Sequence, residues 1–474
     1  MDRQDHLQTI QETRLGILQG DKERVAKQHE SGKGTARERV AKLFDAGSFI
    51  ETDALKADGN VVCGYGTVNE RIAYCFAQDF SSQSGAMGEK QAQKILKLLD
   101  LAQLTGAPVI ALLDSNGAKV LEGVQALASY AQVFAKMTRL SGVCPMISCV
   151  MGPCRGVAAM FTQVADISIG VDKECELELH SPLVVGKKLT AADWAAQGGV
   201  DLTAQSEEQA FSQIAALLDL MPACNIEDSP MTEGEDLNRT LTQCDPSNGL
   251  ALIREIADDG QMIELGASYG KAAHTVLCRV GGRTAGMIAT DYSQDNGRLD
   301  ALACEKIARF VSLCDCYQIE IVSLINTDGL SVGRVGEQAW YMRAAAKMLY
   351  AYAEATAPKV AVITGSAVGG AYVAMGGAKI ADISYAWPDA FVSPLTAEVA
   401  VQALCDEQLN AGAKREELEM NYRKSTDALY TAQNGIVDDI IEPAQTRKQI
   451  IAAMEALQSK HDVNLPRKHG NLPL

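Results

Sequence analysis

Positive charge is scarce in this chain. Across 474 residues, 43 Lys and Arg stand against 60 Asp and Glu, a formal net charge of −17 at pH 7. A reader of DNA or RNA usually presents a basic face, so no nucleic-acid partner is expected. A small anion needs only a local basic pocket and stays open as a ligand. Metal-ligand spacing is also missing. The thirteen cysteines are scattered, and Cys314 and Cys316 form the one close pair. There is no C-x-x-C…C-x-x-C ribbon, so no metal is expected, and the odd count fits reduced cytosolic thiols. No G-x-x-x-x-G-K-[ST] run occurs, and Gly64-Tyr-Gly66 lacks the third glycine of a dinucleotide-binding turn. Met1 to Leu18 is too charged and interrupted for a secretory signal. Val360 to Ala378 runs nineteen residues without a charge, close to a membrane span in length. Its glycines, Gly365, Gly369, Gly370, Gly376 and Gly377, favour a buried strand at Val360–Ile363, a glycine turn and a packed helix instead. The expectation is a soluble, cytoplasmic protein.

What is present is globular. Hydrophobic residues make up 47% and charged residues 22%, and the length predicts more than one domain. The most informative feature is an internal repeat. Leu43-Phe-Asp-Ala-Gly-Ser-Phe-Ile-Glu51 returns as Ile256-Ala-Asp-Asp-Gly-Gln-Met-Ile-Glu264, at an offset of 213. Asn69-Glu-Arg-Ile-Ala73 returns as Gly281-Gly-Arg-Thr-Ala285, and Asp79-Phe80 as Asp291-Tyr292, both at 212. Val109-Ile-Ala-Leu-Leu-Asp-Ser-Asn-Gly117 matches Ile321-Val-Ser-Leu-Ile-Asn-Thr-Asp-Gly329 at 212, and Val150–Ala158 matches Ile363–Ala371 at 213. Unrelated domains of similar grammar would drift in offset. The prediction is an α/β chain of two tandem copies of one fold, residues 1–230 and 231–474, joined through the acidic stretch Cys224–Leu237.

Each copy alternates strand-like and helix-like runs. In the first copy, Val61–Val68, Ile72–Ala77, Pro108–Leu113 and Met146–Val150 read as strands. Glu89–Thr105 and Val124–Arg139 read as helices. Two glycine turns per copy sit where a strand hands over to a helix. They are Asn116-Gly117-Ala118 with Gly152-Pro-Cys-Arg-Gly-Val157, and Asp328-Gly329-Leu330 with Gly365-Ser-Ala-Val-Gly-Gly-Ala371. Backbone N–H groups at such turns can form an oxyanion hole, worth about 3–4 kcal/mol per donor. The alternative is that these glycines only permit tight strand–helix packing. Gly329-Leu-Ser331-Val-Gly333 also fits the nucleophile-elbow pattern of a serine hydrolase. However, the downstream histidines, His461 and His469, lie in a polar tail, and Ser331 has no counterpart in the first copy.

At these residues the chain resembles the carboxyltransferase subunits of biotin-dependent acyl-CoA carboxylases and of sodium-translocating acyl-CoA decarboxylases. The match begins at Gly32-Lys-Gly-Thr-Ala-Arg-Glu-Arg-Val40 and includes Gln78-Asp-Phe80, Met151-Gly-Pro-Cys154, Gly369-Gly-Ala-Tyr372 and Ala386-Trp-Pro388. It closes on Lys468-His-Gly-Asn-Leu-Pro-Leu474. The resemblance implies two crotonase-like domains, an acyl-CoA side first and a biotin side second. It implies transfer of a carboxyl group between carboxybiotin and the α-carbon of a short acyl-CoA, through enolates held by two oxyanion holes. Carried over, the N–H groups of Gly156 and Val157 would hold the thioester oxygen, and those of Gly370 and Ala371 the biotin ureido oxygen. Val373 would line the acyl pocket. Having no Met-Lys-Met site, the chain would receive biotin on a biotin carboxyl carrier protein. Further partners would be a biotin carboxylase or a membrane sodium-pump decarboxylase subunit, the latter giving membrane association. The implied assembly is a homohexamer, a trimer of dimers.

The departures from the family pattern gather at the site. Asn116-Gly-Ala-Lys119 stands for Gly-Gly-Ala-Arg, Cys154-Arg-Gly-Val157 for Cys-Ala-Gly-Gly, and Thr327-Asp-Gly-Leu330 for Val-Pro-Gly-Phe. Arg155, with Lys119, is therefore expected to meet an anion, either a substrate carboxylate or a CoA phosphate. The alternatives are a divergent, non-catalytic paralogue that binds the biotin carrier complex, and the hydrolase using Ser331.

Overall fold

The computed structural model describes residues 3–56, 60–180, 184, 189–333, 338–377 and 379–473. The chain divides into two compact units, Met1–Asp228 and Ser229–Leu474. Each is built on its own eight-stranded sheet.

In the first unit the strands are β1 (Ile50–Thr52), β2 (Val61–Val68), β3 (Arg71–Gln78), β4 (Val109–Ser115), β5 (Met146–Arg155), β6 (Ile167–Val171), β7 (Glu176–Glu178) and β8 (Leu202–Ala204). They run in the order β1-β2-β3-β4-β5-β6-β8, with β7 on β5. The pairs β1–β2 and β2–β3 are antiparallel, and all pairs from β3 onward are parallel. The second unit repeats this. Its strands are β9 (Met262–Glu264), β10 (Ala273–Val280), β11 (Arg283–Thr290), β12 (Glu320–Thr327), β13 (Lys359–Val368), β14 (Ile383–Ala386), β15 (Phe391–Ser393) and β16 (Asp439–Ile440). The order is β9-β10-β11-β12-β13-β14-β16, with β15 on β13. This is an α/β fold with duplicated domains.

The repeated segments perform the same local tasks. Asn69 and Glu70, both at positive φ, turn β2 into β3, and Gly281 and Gly282 turn β10 into β11 in the same way. That backbone suits the right-handed twist of a hairpin. The helix Glu89–Thr105 buries Ala92, Ile95, Leu98, Leu99 and Ala102, one stripe at helical spacing, and stops at left-handed Gly106. The helix Val124–Leu140 turns Ala126, Tyr130, Val133, Met137 and Leu140 inward. The helix Ala339–Glu354 does likewise with Tyr341, Ala344, Met348 and Tyr352. These apolar faces are core.

Two expectations need correction. Val360–Ile363 is only the first half of β13, and Met146–Val150 only the first half of β5. Both strands continue past the glycines taken as turn signals and change neighbours on the way. β5 pairs with β6 and then β7, and β13 with β14 and then β15. Gly152 and Gly365 are thus strand residues with a packing role. A Cβ on Gly152 would lie 2.1 Å from Asp114 Oδ1, and one on Gly365 2.4 Å from Asn326 Oδ1. No described helix is long and apolar enough to cross a membrane. Val360 to Val368 is strand, and Gly369–Ala374 is a short helix.

Candidate active site

Each unit places two turns side by side at the C-terminal ends of neighbouring parallel strands. In the first unit β4 ends at Ser115, and the chain turns through Asn116, left-handed Gly117 and Ala118. The Ser115 hydroxyl accepts the Gly117 N–H at 3.0 Å. In the second unit β12 ends at Thr327, whose hydroxyl accepts the Gly329 N–H, also at 3.0 Å. Met87 N–H donates to the Gly117 carbonyl and Lys119 N–H to the Met87 carbonyl, both at 2.9 Å. Leu299 repeats the bridge with Gly329 and Ser331, at 3.1 and 3.0 Å.

In a parallel bridge the opposing residue bonds to the two flanking positions. The N–H of the central residue then points the other way. The central residues are Ala118 and Leu330. Neither N–H has an acceptor among the described residues. An unpartnered backbone donor at such a turn is one component of an oxyanion site.

The second turn starts where β5 and β13 end. Gly156 and Gly369, at φ of 62° and 57°, are left-handed and redirect the chain into short helical segments. The offset of 213 puts Val157 in register with Gly370, and Ala158 with Ala371. The carried-over pairs Gly156/Val157 and Gly370/Ala371 are therefore one residue out of step with each other. Ala158 and Ala371 are fully buried, and Val157 packs partly into the core. A Cβ on Gly117 would lie 2.6 Å from the Arg155 carbonyl, and one on Gly370 3.5 Å from Leu330 Cδ1. The two turns of each unit are therefore in contact. Val373, three residues beyond Gly370 on the same helix, is 42% exposed.

Arg155 is heavily engaged. Its Nη1 donates to Asn116 Oδ1 at 2.6 Å, its Nη2 donates to the Glu176 carboxylate, and its Nε lies 3.3 Å from Glu178 Oε2. Lys119 Nζ stands 3.9 Å from Glu122, whose carboxylate accepts the Glu89 N–H at 2.8 Å. Asp328 is approached by the Tyr292 hydroxyl at 3.4 Å. Ser331 lacks the strained backbone of a nucleophile elbow, being absent from the positive-φ residues. His274 pairs with Glu264 at 2.7 Å, and His29 with Glu38 at 2.9 Å.

Sequence reasoning missed the charge cluster beneath the first turn. Arg39, 1% exposed, lies 2.8 Å from Asp114 and 2.7 Å from Glu207 and donates to the Met151 carbonyl at 2.7 Å. Beside it a cavity of about 610 Å³ is lined by Arg24, Lys27, Lys33, Lys173, Arg155 and Glu174, among others. Burial, then Glu207, pushes the Glu174 carboxyl up to about 7 against Arg39 and Lys33. Its ordinary value is 4.5. As pH rises from 4.5 to 7 the unfolded chain gives up this proton first, so folding loses stability across that window and the loss is complete above it. Glu174→Gln is therefore expected to stabilise the protein by about 1–2 kcal/mol at pH 8, after allowance for solvent screening, and by little at pH 5. Urea titrations at the two pH values measure this. An equal gain at both would contradict the assignment.

Residues 27–472 match the family model described as the carboxyl transferase domain. The methylmalonyl-CoA decarboxylase subunit alpha of Veillonella parvula is 37% identical over 496 residues, with 96% of each chain covered. The propionyl-CoA carboxylase beta chain of Saccharopolyspora erythraea is 36% identical, covering 96% of this chain and 93% of its own. The crystal structure of transcarboxylase 12S, described as a hexamer assembly with methylmalonyl-coenzyme A and methylmalonic acid bound, aligns with a TM-score of 0.95. It is 32% identical over 100% of this chain and 99% of that one.

Proposed function

The chain belongs to the carboxyl transferase family and acts in acyl-CoA carboxyl transfer, and on that premise we propose that it moves a carboxyl group between carboxybiotin and the α-carbon of a short acyl-CoA of the propionyl/methylmalonyl or acetyl/malonyl type. The observation that carries this reading is the duplicated pair of turns, each with a backbone N–H left without an acceptor among the described residues, at Ala118 and at Leu330.

In the first unit the N–H groups of Ala118 and Val157 hold the thioester oxygen as negative charge develops on it. In the second unit Leu330 and Gly370 do the same for the ureido oxygen of biotin. Biotin is a substrate here, arriving on a carrier protein and supplying both the carboxyl group and a ureido nitrogen able to take the α-proton. No side chain of this enzyme is then required as general base, and catalysis lies in holding two developing oxyanions better than two carbonyls. The cations Arg24, Lys27, Lys33 and Lys173 around the cavity beside the first turn support placing the acyl-CoA in the first unit. That local patch offsets the acidic whole. Val373 borders the acyl group.

The active assembly is a hexamer in which the site of one copy is completed by another. Exposed Val120, Leu121 and Val124, directly after the first turn, suit burial against such a neighbour. The partners are a biotin carboxyl carrier protein with either a biotin carboxylase or a membrane decarboxylase subunit, and the protein works at the cytoplasmic side.

Purified protein supplied with methylmalonyl-CoA or malonyl-CoA and free biotin is expected to release CO2 only when biotin is present. Carrier binding without turnover would sink the catalytic reading. Biotin-independent activity abolished by Ser331→Ala would replace it with the hydrolase.

A further inference from the structure

Two departures from the family pattern, Asn116 and Arg155, touch each other. Each alone reads as a polar substitution near a turn. Together they make one device. The Arg155 guanidinium spans from the first turn to β7. It reaches Asn116 Oδ1 at 2.6 Å on one side and Glu176 and Glu178 on the other. The Glu178 side chain is 5% exposed and that of Arg155 20%, so the anchor on Glu178 is sheltered, while Asn116 lies at the exposed end. The Arg155 carbonyl meanwhile abuts Gly117. Asn116 is tied at its own backbone too, its N–H donating to the Ser84 carbonyl at 2.9 Å. Two residues later comes Ala118, whose N–H has no acceptor among the described residues.

The second unit has no such strap. The equivalent positions are Asp328 and Val368. Val368 carries no charge, and Asp328 is met by the Tyr292 hydroxyl at 3.4 Å. The device thus belongs to the thioester side alone.

We infer that Arg155 is a positioning residue: anchored on Glu176 and Glu178, it holds Asn116 and so fixes the direction of the Ala118 N–H. This rests on the reading of Ala118 as an oxyanion donor. It replaces the expectation that Arg155 receives a substrate anion. The guanidinium is already engaged by Glu176 and Glu178, so an incoming carboxylate or phosphate would have to displace them. Anion attraction in that cavity falls instead to Arg24, Lys27, Lys33 and Lys173. A charge-assisted hydrogen bond with a fork-shaped donor is suited to fixing direction, and lysine does not reproduce it.

The test has two readouts. In the biotin-dependent assay, Arg155→Ala and Asn116→Ala should each lower kcat roughly 10- to 100-fold, with KM for the carboxylated acyl-CoA within about twofold of wild type. The double variant should be no worse than the more damaged single variant, because both cut one link. Arg155→Lys should recover only part of the loss. A KM that rises with kcat unchanged, or losses that multiply in the double variant, would overturn the strap. The second readout is hydrogen exchange at residues 116–119, which needs no turnover. Both alanine variants should speed exchange there and leave the equivalent segment 328–331 unchanged. Unchanged exchange at 116–119 overturns the proposal even in an inactive protein. Wild type without biotin-dependent turnover but with the exchange effect would count against the function and not against the strap. Asn116→Ala exposes no buried charge, so it stays informative if Arg155→Ala folds poorly.

Discussion

Ala118→Pro is expected to lower kcat for biotin-dependent decarboxylation by roughly 10²–10³-fold, about 2.7–4 kcal/mol, while KM for the acyl-CoA moves far less. Proline removes a backbone N–H, at no cost in structural bonds where that N–H makes none, and fixes φ at about −65°, a constraint that the thermal melt below checks. Ala118 meets the condition, because the bridge to Met87 uses the Gly117 carbonyl and the Lys119 N–H. The loss falls on kcat because an N–H bonds an enolate oxygen more strongly than a thioester carbonyl oxygen. Leu330→Pro should do the same on the biotin side, since its bridge to Leu299 is made by Gly329 and Ser331. Its defect should persist at saturating acyl-CoA. Ala118→Gly keeps the N–H and is the control, expected within a few-fold of wild type. If Ala118→Pro folds, judged by an unchanged thermal melt, and keeps a third or more of wild-type kcat, Ala118 is not a donor to the reacting oxygen.

Much of the fold was legible because it rests on local pattern. The helix Glu89–Thr105 was read with its observed bounds, since its apolar stripe and the Gly106 stop both lie within one window. β2 was read with its observed bounds for a similar reason, a β-rich run followed by a turn at Asn69 and Glu70. The far halves of β5 and β13 were not legible. Gly152, Pro153 and Gly365 look like turn residues, and only the buried Asp114 and Asn326 on the neighbouring strand explain why glycine is needed within a strand. The candidate turns were found, since Asn116–Lys119 and Asp328–Leu330 stand out as glycine-bearing strand ends. Which N–H lacks an acceptor was not, because that depends on Met87 and Leu299, far back in the chain. The partners of Arg155 were hidden for the same reason. Glu176 and Glu178 lie on a three-residue strand too short to show periodicity. The run Gly32–Val40 was recognised as a motif, yet nothing in it says which arginine goes inside. Arg37 ends beside Glu51 at 2.8 Å, 18% exposed, while Arg39 is buried.

Arg39→Ala is expected to destabilise the first unit by about 3–5 kcal/mol, a large part of the ~5–15 kcal/mol that holds a folded protein together. The guanidinium is shared by Asp114 and Glu207 at 2.8 and 2.7 Å, and the Asp114 side chain is fully buried. Burial raises the Asp114 carboxyl, with Arg39 and Lys33 opposing that rise. Removing Arg39 leaves Asp114 and Glu207, with Glu174 beside them, facing Lys33 at 3.3 Å from Asp114 and the neutral donors Gln28 Nε2 and Gly34 N–H. The sign of the pH dependence follows. Without Arg39 the folded-state pKa of Asp114 lies further above its unfolded value, so the folded variant holds a proton that the unfolded chain gives up. Its stability therefore falls as pH rises, and the defect should be smaller at pH 5 than at pH 8. Urea unfolding at both pH values measures it, with a lower midpoint and an unchanged slope expected. Arg39→Lys should restore only part of the loss, since one ammonium cannot reach Asp114, Glu207 and the Met151 carbonyl together. A defect below about 1 kcal/mol at pH 8 would mean that the cluster is replaced by water and that Arg39 does not hold the floor beneath the first turn. A defect that grows toward pH 5 would mean that the carboxylates are not the groups left uncompensated.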